Sequence, residues 1–372
     1  MRKILHIPNF YPPHKGGIED VCHNIIEILK KEPDVQQKVI CFSGNNLSIT
    51  DKFDGVDIVR VGARIKISSQ FLSFAYYIKL KNLIKSFKPD YIHLHCPNPL
   101  VSLYVYLAIP KGTKLIIHWH SDIVDQRKLY RIVSGIERKV LDRSNKIIAT
   151  SPNYIEKSLP LLRVKEKVSV VPNIINKSLF EYNEEIKKKV ESIKSKYQNK
   201  KIVLFVGRHV PYKGLRYLLE AMPLVSSDCV VLIGGSGVLE ESLKSMNKDG
   251  RVYFIGRIPD DMLPAYYYAA DVFAFPSITK NEAFGVALAE AMYCNTPAVT
   301  FTIDGSGVNW VNINGVTGLE VQNKDCEAYA KALDYILSND SVCKEMASNA
   351  RQRVIENFVE KEIEEKIKKL YE

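Results

Sequence analysis

The stretch VFAFPSITKNEAFGVALAEAMYCNTPAVTF (residues 272–301) holds a strand, a loop, a helix and a second strand in thirty residues. VFAFPS (272–277) is an apolar run closed by Pro276 and Ser277, residues 284–294 suit a helix, and AVTF (298–301) is apolar again. Apolar runs without alternation, joined through a helix, belong to parallel strands buried on both faces. Two carboxylates interrupt this apolar unit. Glu282 precedes the helix, where the positive end of the macrodipole favours an anion and helix stabilisation alone is a sufficient role. Glu290 lies two turns further, in a helix apolar nearly all round that should be buried. A buried carboxylate needs hydroxyl or amide donors, and sugar or ribose hydroxyls are such donors.

The same pattern extends in both directions. IVLFVG (202–207), VVLIGG (230–235), VYFIG (252–256) and GLEV (318–321) complete one set of strands. KILHI (3–7), KVICF (38–42), VDIVRV (56–61), YIHLH (91–95), KLIIHWH (114–120), KIIAT (146–150) and VSVVP (168–172) form another. Helix-length segments such as IEDVCHNIIEILKK (18–31) separate most of them. Both halves therefore read as doubly wound α/β domains, residues 1–172 and 173–355. The boundary lies in the polar, Lys-rich stretch 172–200, and three amphipathic segments close the chain from about Asp325. A chain of 372 residues exceeds one ordinary core. Two such domains are expected to face each other across a cleft, with ligands beyond the carboxyl ends of the strands.

Composition narrows the function classes. No apolar run approaches the ~20 residues that span a bilayer. MRKILHIPNF is too soon interrupted by proline and polar residues for a signal-peptide core, so a cytoplasmic protein is expected. Seven scattered cysteines without C-x-x-C read as reduced core thiols, with neither zinc nor a disulfide framework. Residues 1–180 carry 28 Lys and Arg against 15 Asp and Glu, whereas residues 181–372 carry 24 against 27. The basic first half calls for an anionic partner: nucleic acid, phospholipid or a phosphorylated acceptor. FLSFAYYIKLKNLIKSFK (71–88) would form a cationic amphipathic helix suited to an anionic membrane face, or a sheet-covering helix with a solvated lysine edge.

Candidate chemistry follows the strand ends. Gly16 and Gly17 open the first helix, where adjacent glycines permit close backbone approach to an anion. VGRHVPYKG places Arg208 and Lys213 after a strand, five residues apart, as a possible diphosphate clamp. IGGSGVLEE (233–241) imitates a dinucleotide fingerprint but carries Glu240 where a third small residue belongs, and it follows the second strand of its domain. A dehydrogenase is disfavoured accordingly. His93 and His95, and His118 and His120, form two H-x-H pairs; no Asp or Glu shares their spacing, so no metal is expected there.

E-A-F-G-x-x-x-x-E-A-M, preceded by G-R-x-x-x-x-K-G and by G-G-I-E near the start, resembles family 4 of the retaining GT-B glycosyltransferases, in order over nearly the whole chain. The resemblance implies a GT-B fold whose closing helix, about 356–372, packs back on the first domain. It implies that Glu282 contacts the donor sugar, with the amides of Ala283, Phe284, Gly285 and Val286. Glu290 would hold the ribose, and Arg208 and Lys213 the diphosphate, assisted by Gly17 beside Gly16. Gly256, Arg257 and Ile258 would meet the nucleobase, and His120 in HWHSD would be the active-site histidine near the sugar. His120, Glu282, Arg208 and Lys213 are thus the candidate catalytic set. No metal or other cofactor is implied, and retention without a positioned nucleophile implies front-face attack, the leaving diphosphate helping to take the acceptor's proton.

HSDIVDQRKLYRIVSGIERKVL (120–141), TSPNY (150–154) and VPN (171–173) look most like bacterial O-antigen and polysaccharide mannosyltransferases. That favours GDP-mannose as donor and a lipid-linked or cell-surface polysaccharide acceptor, with the protein peripheral at the inner face of the membrane. Relatives using UDP-hexoses share much of the pattern. A sugar-nucleotide epimerase or phosphorylase is a second enzyme reading, and a nucleic-acid-binding protein a third. The dispersed basic residues and the lack of an aromatic–basic RNA motif speak against nucleic acid as a partner.

Overall fold

A computed structural model describes residues 1–14, 16–67, 70–123 and 127–372. The chain forms two compact units, Met1–Pro172 with Ile363–Glu372, and Asn173–Glu362.

The first unit contains β1 (Arg2–Ile7), β2 (Val35–Phe42), β3 (Ile49–Phe53), β4 (Val56–Val61), the short antiparallel pair β5 (Ile65–Ile67) and β6 (Gln70–Leu72), β7 (Tyr91–Cys96), β8 (Lys114–Trp119), β9 (Lys146–Ala149) and β10 (Val168–Val170). Its main sheet runs β10-β9-β8-β7-β1-β2-β4-β3, parallel throughout except for β3 against β4. All six residues of β7 are buried, which explains why its sequence is apolar or histidine without alternation. The helix Gly17–Lys30 packs Val21, Cys22, Ile25, Ile26 and Leu29 inward at helical spacing. Residues 71–88 divide rather than forming one helix. Gln70–Leu72 is strand, and the helix is Phe74–Phe87, burying Tyr76, Leu80, Ile84 and Phe87. That helix ends at Lys88, whose left-handed φ of 53° precedes Pro89.

The second unit contains β11 (Lys201–Val206), β12 (Cys229–Gly234), β13 (Val252–Gly256), β14 (Val272–Phe275), β15 (Ala298–Phe301) and β16 (Gly318–Val321), in the order β13-β12-β11-β14-β15-β16, all parallel. Numbered within the unit, that is 3-2-1-4-5-6, so the order reverses between β11 and β14. The quoted stretch is β14, a loop, the helix Val286–Tyr293 and β15. Asn183 and Asp325 cap the helices Glu184–Lys196 and Cys326–Ser338, each accepting from an amide in the first turn at 2.9 Å. Phe358 sits in this core, its ring 5.2 Å from both Phe284 and Trp310. Beyond it the chain returns to the first unit at Ile363, where Ile363, Ile367, Leu370 and Tyr371 are buried.

Candidate active site

The loops at the carboxyl ends of β11, β12 and β14 build one framework. After β11, Gly207–His209 runs against the loop after β12: the Gly207 amide donates to Gly234 (3.1 Å) and the His209 amide to Ser236 (2.9 Å). A Cβ on Gly235 would lie 1.9 Å from the Gly207 carbonyl oxygen, and one on Gly237 2.5 Å from that of His209. The glycines of IGGSG are therefore required by this loop-to-loop contact, which accounts for a fingerprint-like sequence without a dinucleotide site. Gly214, at φ 65°, turns the chain where a Cβ would strike the Pro276 carbonyl at 2.0 Å. The Ile278 amide donates to Tyr212 (2.9 Å), fastening the loop after β14 to the loop after β11.

This fastening brings Lys213 onto Glu282. The ammonium lies 2.5 Å from the carboxylate, with the two side chains only 10% and 12% exposed. The Ser277 hydroxyl donates to the same carboxylate at 3.2 Å, and the Ser306 hydroxyl holds the Glu282 carbonyl. Lys213 also rests over the Phe275 ring at 4.9 Å. A carboxylate offers about four acceptor positions and an ammonium three donors. The pair thus keeps acceptor capacity for sugar hydroxyls and donor capacity for phosphate oxygens. Arg208 does not join Lys213; it is exposed and donates to the Tyr212 hydroxyl at 3.1 Å. The clamp read from the spacing is therefore one buried cation and one surface cation.

Glu290 departs from expectation. It is half-buried, because the helix Val286–Tyr293 buries Leu288, Ala289, Ala291 and Met292 but leaves Val286, Ala287 and Glu290 partly open. The Tyr267 hydroxyl donates to it at 2.8 Å. Burial, and then the Glu290 carboxylate, raise the Tyr267 phenol well above its ordinary range, so it stays a protonated donor. Gly285 stands at the start of the helix with φ 89° and has no side chain to cap the first-turn amides. Ala283 and Phe284 are buried beside it. At the end of β13, Gly256 at φ 69° accepts from the Gly235 amide at 2.7 Å; Arg257 is exposed and Ile258 buried.

Gly16, Gly17 and His120 lie in the first unit. Gly16 is extended (φ 172°) and a Cβ there would meet the Glu19 carboxylate, whereas one on Gly17, the first residue of its helix, would meet nothing within 4 Å. His120 follows β8, its amide donating to Cys96 at 3.0 Å. The adjoining turn is tied down at Asp122, which accepts from the Trp119 indole (2.9 Å) and the Ser158 hydroxyl (2.7 Å). Residues 124–126 of the 120–141 motif lie outside the described residues. His120 belongs to a ladder with His6, His93, His95 and His118, all buried. His6 pairs in register with His93, and His95 with His118, and residues two apart share a face, so all five imidazoles occupy one face of β1, β7 and β8. Sequence reasoning found the two H-x-H pairs but missed His6, a single histidine in an apolar strand. Tyr267 and Ser277 were missed as well, since nothing in their local sequence marks them as carboxylate partners.

Comparisons with known proteins identify the family and the fold. The family model described as Glycosyl transferases group 1 matches residues 186–353, and that described as Glycosyltransferase Family 4 matches residues 15–179. Similar proteins include the D-rhamnosyltransferase WbpZ of Pseudomonas aeruginosa, 28% identical over 96% of this chain and 92% of its own. The O-antigen chain mannosyltransferase C of Escherichia coli is 26% identical over 96% and 94%. Among solved structures, sucrose-phosphate synthase from Thermosynechococcus elongatus superposes with a TM-score of 0.79 at 21% identity, covering 100% of this chain and 98% of that one. Anabaena HepE in complex with UDP and glucose gives 0.76 at 17% identity, covering 100% and 99%. The chain belongs to the glycosyltransferases of the GT-B fold, with two Rossmann-like domains. It is a sugar-transferring enzyme whose sequence relatives include a D-rhamnosyltransferase and an O-antigen chain mannosyltransferase.

Proposed function

We propose that the chain moves mannose from GDP-mannose, with retention of configuration, onto a lipid-linked or cell-surface polysaccharide acceptor at the inner face of the cell membrane. The observation that carries the donor site is the buried Lys213–Glu282 pair at the point where the strand order reverses. In this reading Glu282 orients the sugar through its hydroxyls, with the amides of Ala283, Phe284, Gly285 and Val286 beside it. Lys213 stabilises the charge that develops on the leaving diphosphate, so no metal or other cofactor is needed, and Arg208 approaches from the surface. Glu290 and Tyr267 hold the ribose, and the backbone at Gly256–Ile258 meets the base. Glu282 is too firmly engaged by Lys213 to serve as a nucleophile, which favours front-face attack.

Mannose as the transferred sugar is supported by the mannosyl- and rhamnosyltransferase relatives. The membrane part is supported by the helix Phe74–Phe87. Its outer side exposes Phe74 and Ile78 next to Lys81, Lys85 and Lys88, along a groove of about 930 Å³. Among the described residues no helix is long and apolar enough to cross a membrane. The test is release of nucleotide from GDP-mannose, UDP-glucose, UDP-galactose and UDP-N-acetylglucosamine, with the anomeric configuration of the product read by NMR. GDP release and an α-linked product from the α-configured donor are expected. Preference for a UDP-sugar, or an inverted product, contradicts the reading.

A further inference from the structure

The histidine ladder contains two different kinds of contact. His118 stacks on His120 with ring centroids 4.2 Å apart and planes 13° from parallel. His95 and His120 are also near parallel, at 12°, but their centroids are 5.2 Å apart and His95 Nδ1 lies 2.9 Å from His120 Nε2. That combination is the edge-to-edge geometry of two nearly coplanar imidazoles joined by one N–H···N bond. Ring nitrogens of His95, His118 and His120 lie within 4.8 Å of one another. Their planes, however, are 12° to 26° from parallel, so the in-plane lone pairs run side by side instead of converging as a chelate requires.

One hydrogen bond between two neutral imidazoles couples their tautomers. Burial holds both rings neutral at pH 7. If His120 donated from Nε2, His95 would carry its proton on Nε2, which is buried and unpartnered. An orphaned buried N–H is a rarer and costlier arrangement than a bare acceptor. The reverse arrangement places the proton of His95 on Nδ1, donating to His120 Nε2, and leaves His120 with its proton on Nδ1.

We propose that His95 is a positioning residue that locks His120 in the Nδ1–H tautomer, so that His120 serves its ligand as a hydrogen-bond donor through Nδ1, with His118 stacked beside the pair to hold the ring planes. The catalytic consequence rests on the proposed glycosyltransferase function, with His120 near the sugar as the family resemblance implies. The tautomer itself does not.

The experiment is long-range ¹H–¹⁵N correlation NMR on the full chain labelled at its eight histidines, with His120→Gln assigning the His120 signals. The same samples are assayed for GDP release from GDP-mannose. The wild type is expected to show His120 as Nδ1–H. His95→Met, whose thioether can accept from His120 Nε2 but cannot donate to it, should move it to the Nε2–H form and lower kcat about tenfold, the weight of one oriented hydrogen bond of about 1.4 kcal/mol. His95→Asn, whose amide nitrogen replaces Nδ1 as donor, should keep the Nδ1–H form and most of the turnover. His120 as Nε2–H in the wild type, or as Nδ1–H in His95→Met, overturns the proposal. If His95→Met does not fold, the wild-type and His95→Asn spectra still decide it. A tautomer that moves with turnover unchanged supports the lock and removes His120 from the donor site.

Discussion

Glu282, in the loop after β14, and Glu290, in the helix that follows, are held by different partners. A lysine and a serine engage the first, and a tyrosine the second. Removing one member of a buried ion pair strands the other, at a cost of about 3–5 kcal/mol. Lys213→Ala should therefore lower both stability and turnover, and the two effects can be separated. Lys213→Met combined with Glu282→Gln removes both charges at similar volume. It should recover most of the thermal stability in a melting experiment while leaving turnover at least about 100-fold down, as expected when electrostatic stabilisation of the leaving group is lost. Recovery of turnover together with stability would reduce the pair to a structural role. Glu290→Ala should weaken nucleotide binding by calorimetry about tenfold or more, and should cost about 1–3 kcal/mol of stability because it takes the acceptor from the hydroxyl of the buried Tyr267. Unaltered affinity would remove the ribose role. Both carboxylates were legible in the sequence as charges inside an apolar unit. The Lys213–Glu282 contact was not, since it depends on β11 and β14 being neighbours, which local pattern does not state.

At the scale of elements, the strand ends carry the constraints. Gly235 at φ 112° faces the Gly207 carbonyl with no room for a Cβ, so Gly235→Ala should destabilise the second unit by several kcal/mol in urea unfolding. Gly17 has open space around it and begins a helix, so Gly17→Ala should preserve stability; a fall in turnover there would report close approach of a ligand to its backbone. The histidine ladder gives the first unit a pH signature. Burial lowers His6 to about 4 and His118 to about 3. A histidine whose folded value lies below the unfolded value near 6.5 contributes stability that is fully present above pH 6.5. That stability is lost as pH falls towards the folded value, at about 1.4 kcal/mol per pH unit for each group. The urea midpoint should therefore drop between pH 7 and pH 5, and His118→Leu should flatten that drop. An identical slope in the variant would show that His118 does not bear the titration. The buried parallel strands were readable because runs of apolar residues dominate them, joined by histidine in β1, β7 and β8. β3, ITDKF, was not: it is an antiparallel edge strand, half solvated, with no apolar run to announce it. His6 joins the ladder only through strand order, so spacing found four of its members and missed the fifth.

At the scale of the whole molecule, the architecture was the most legible feature, because two series of apolar runs separated by helices admit few alternatives to paired doubly wound sheets. The charge asymmetry was equally plain, and the helix Phe74–Phe87 presents part of it beside exposed Phe74 and Ile78. Lys81→Glu, Lys85→Glu and Lys88→Glu together should abolish sedimentation with anionic liposomes at low salt while sparing donor hydrolysis; retained sedimentation would contradict the proposed membrane contact through this helix. The proposed function has a nucleotide sugar bound and activated at the loops that follow the paired strands β11 and β14. Its most direct measurement is nucleotide release from GDP-mannose by the wild type and by Lys213→Met/Glu282→Gln, a pair chosen to stay folded. The account predicts release by the first and at least about a 100-fold loss in the second. Equal rates in the two proteins would contradict it.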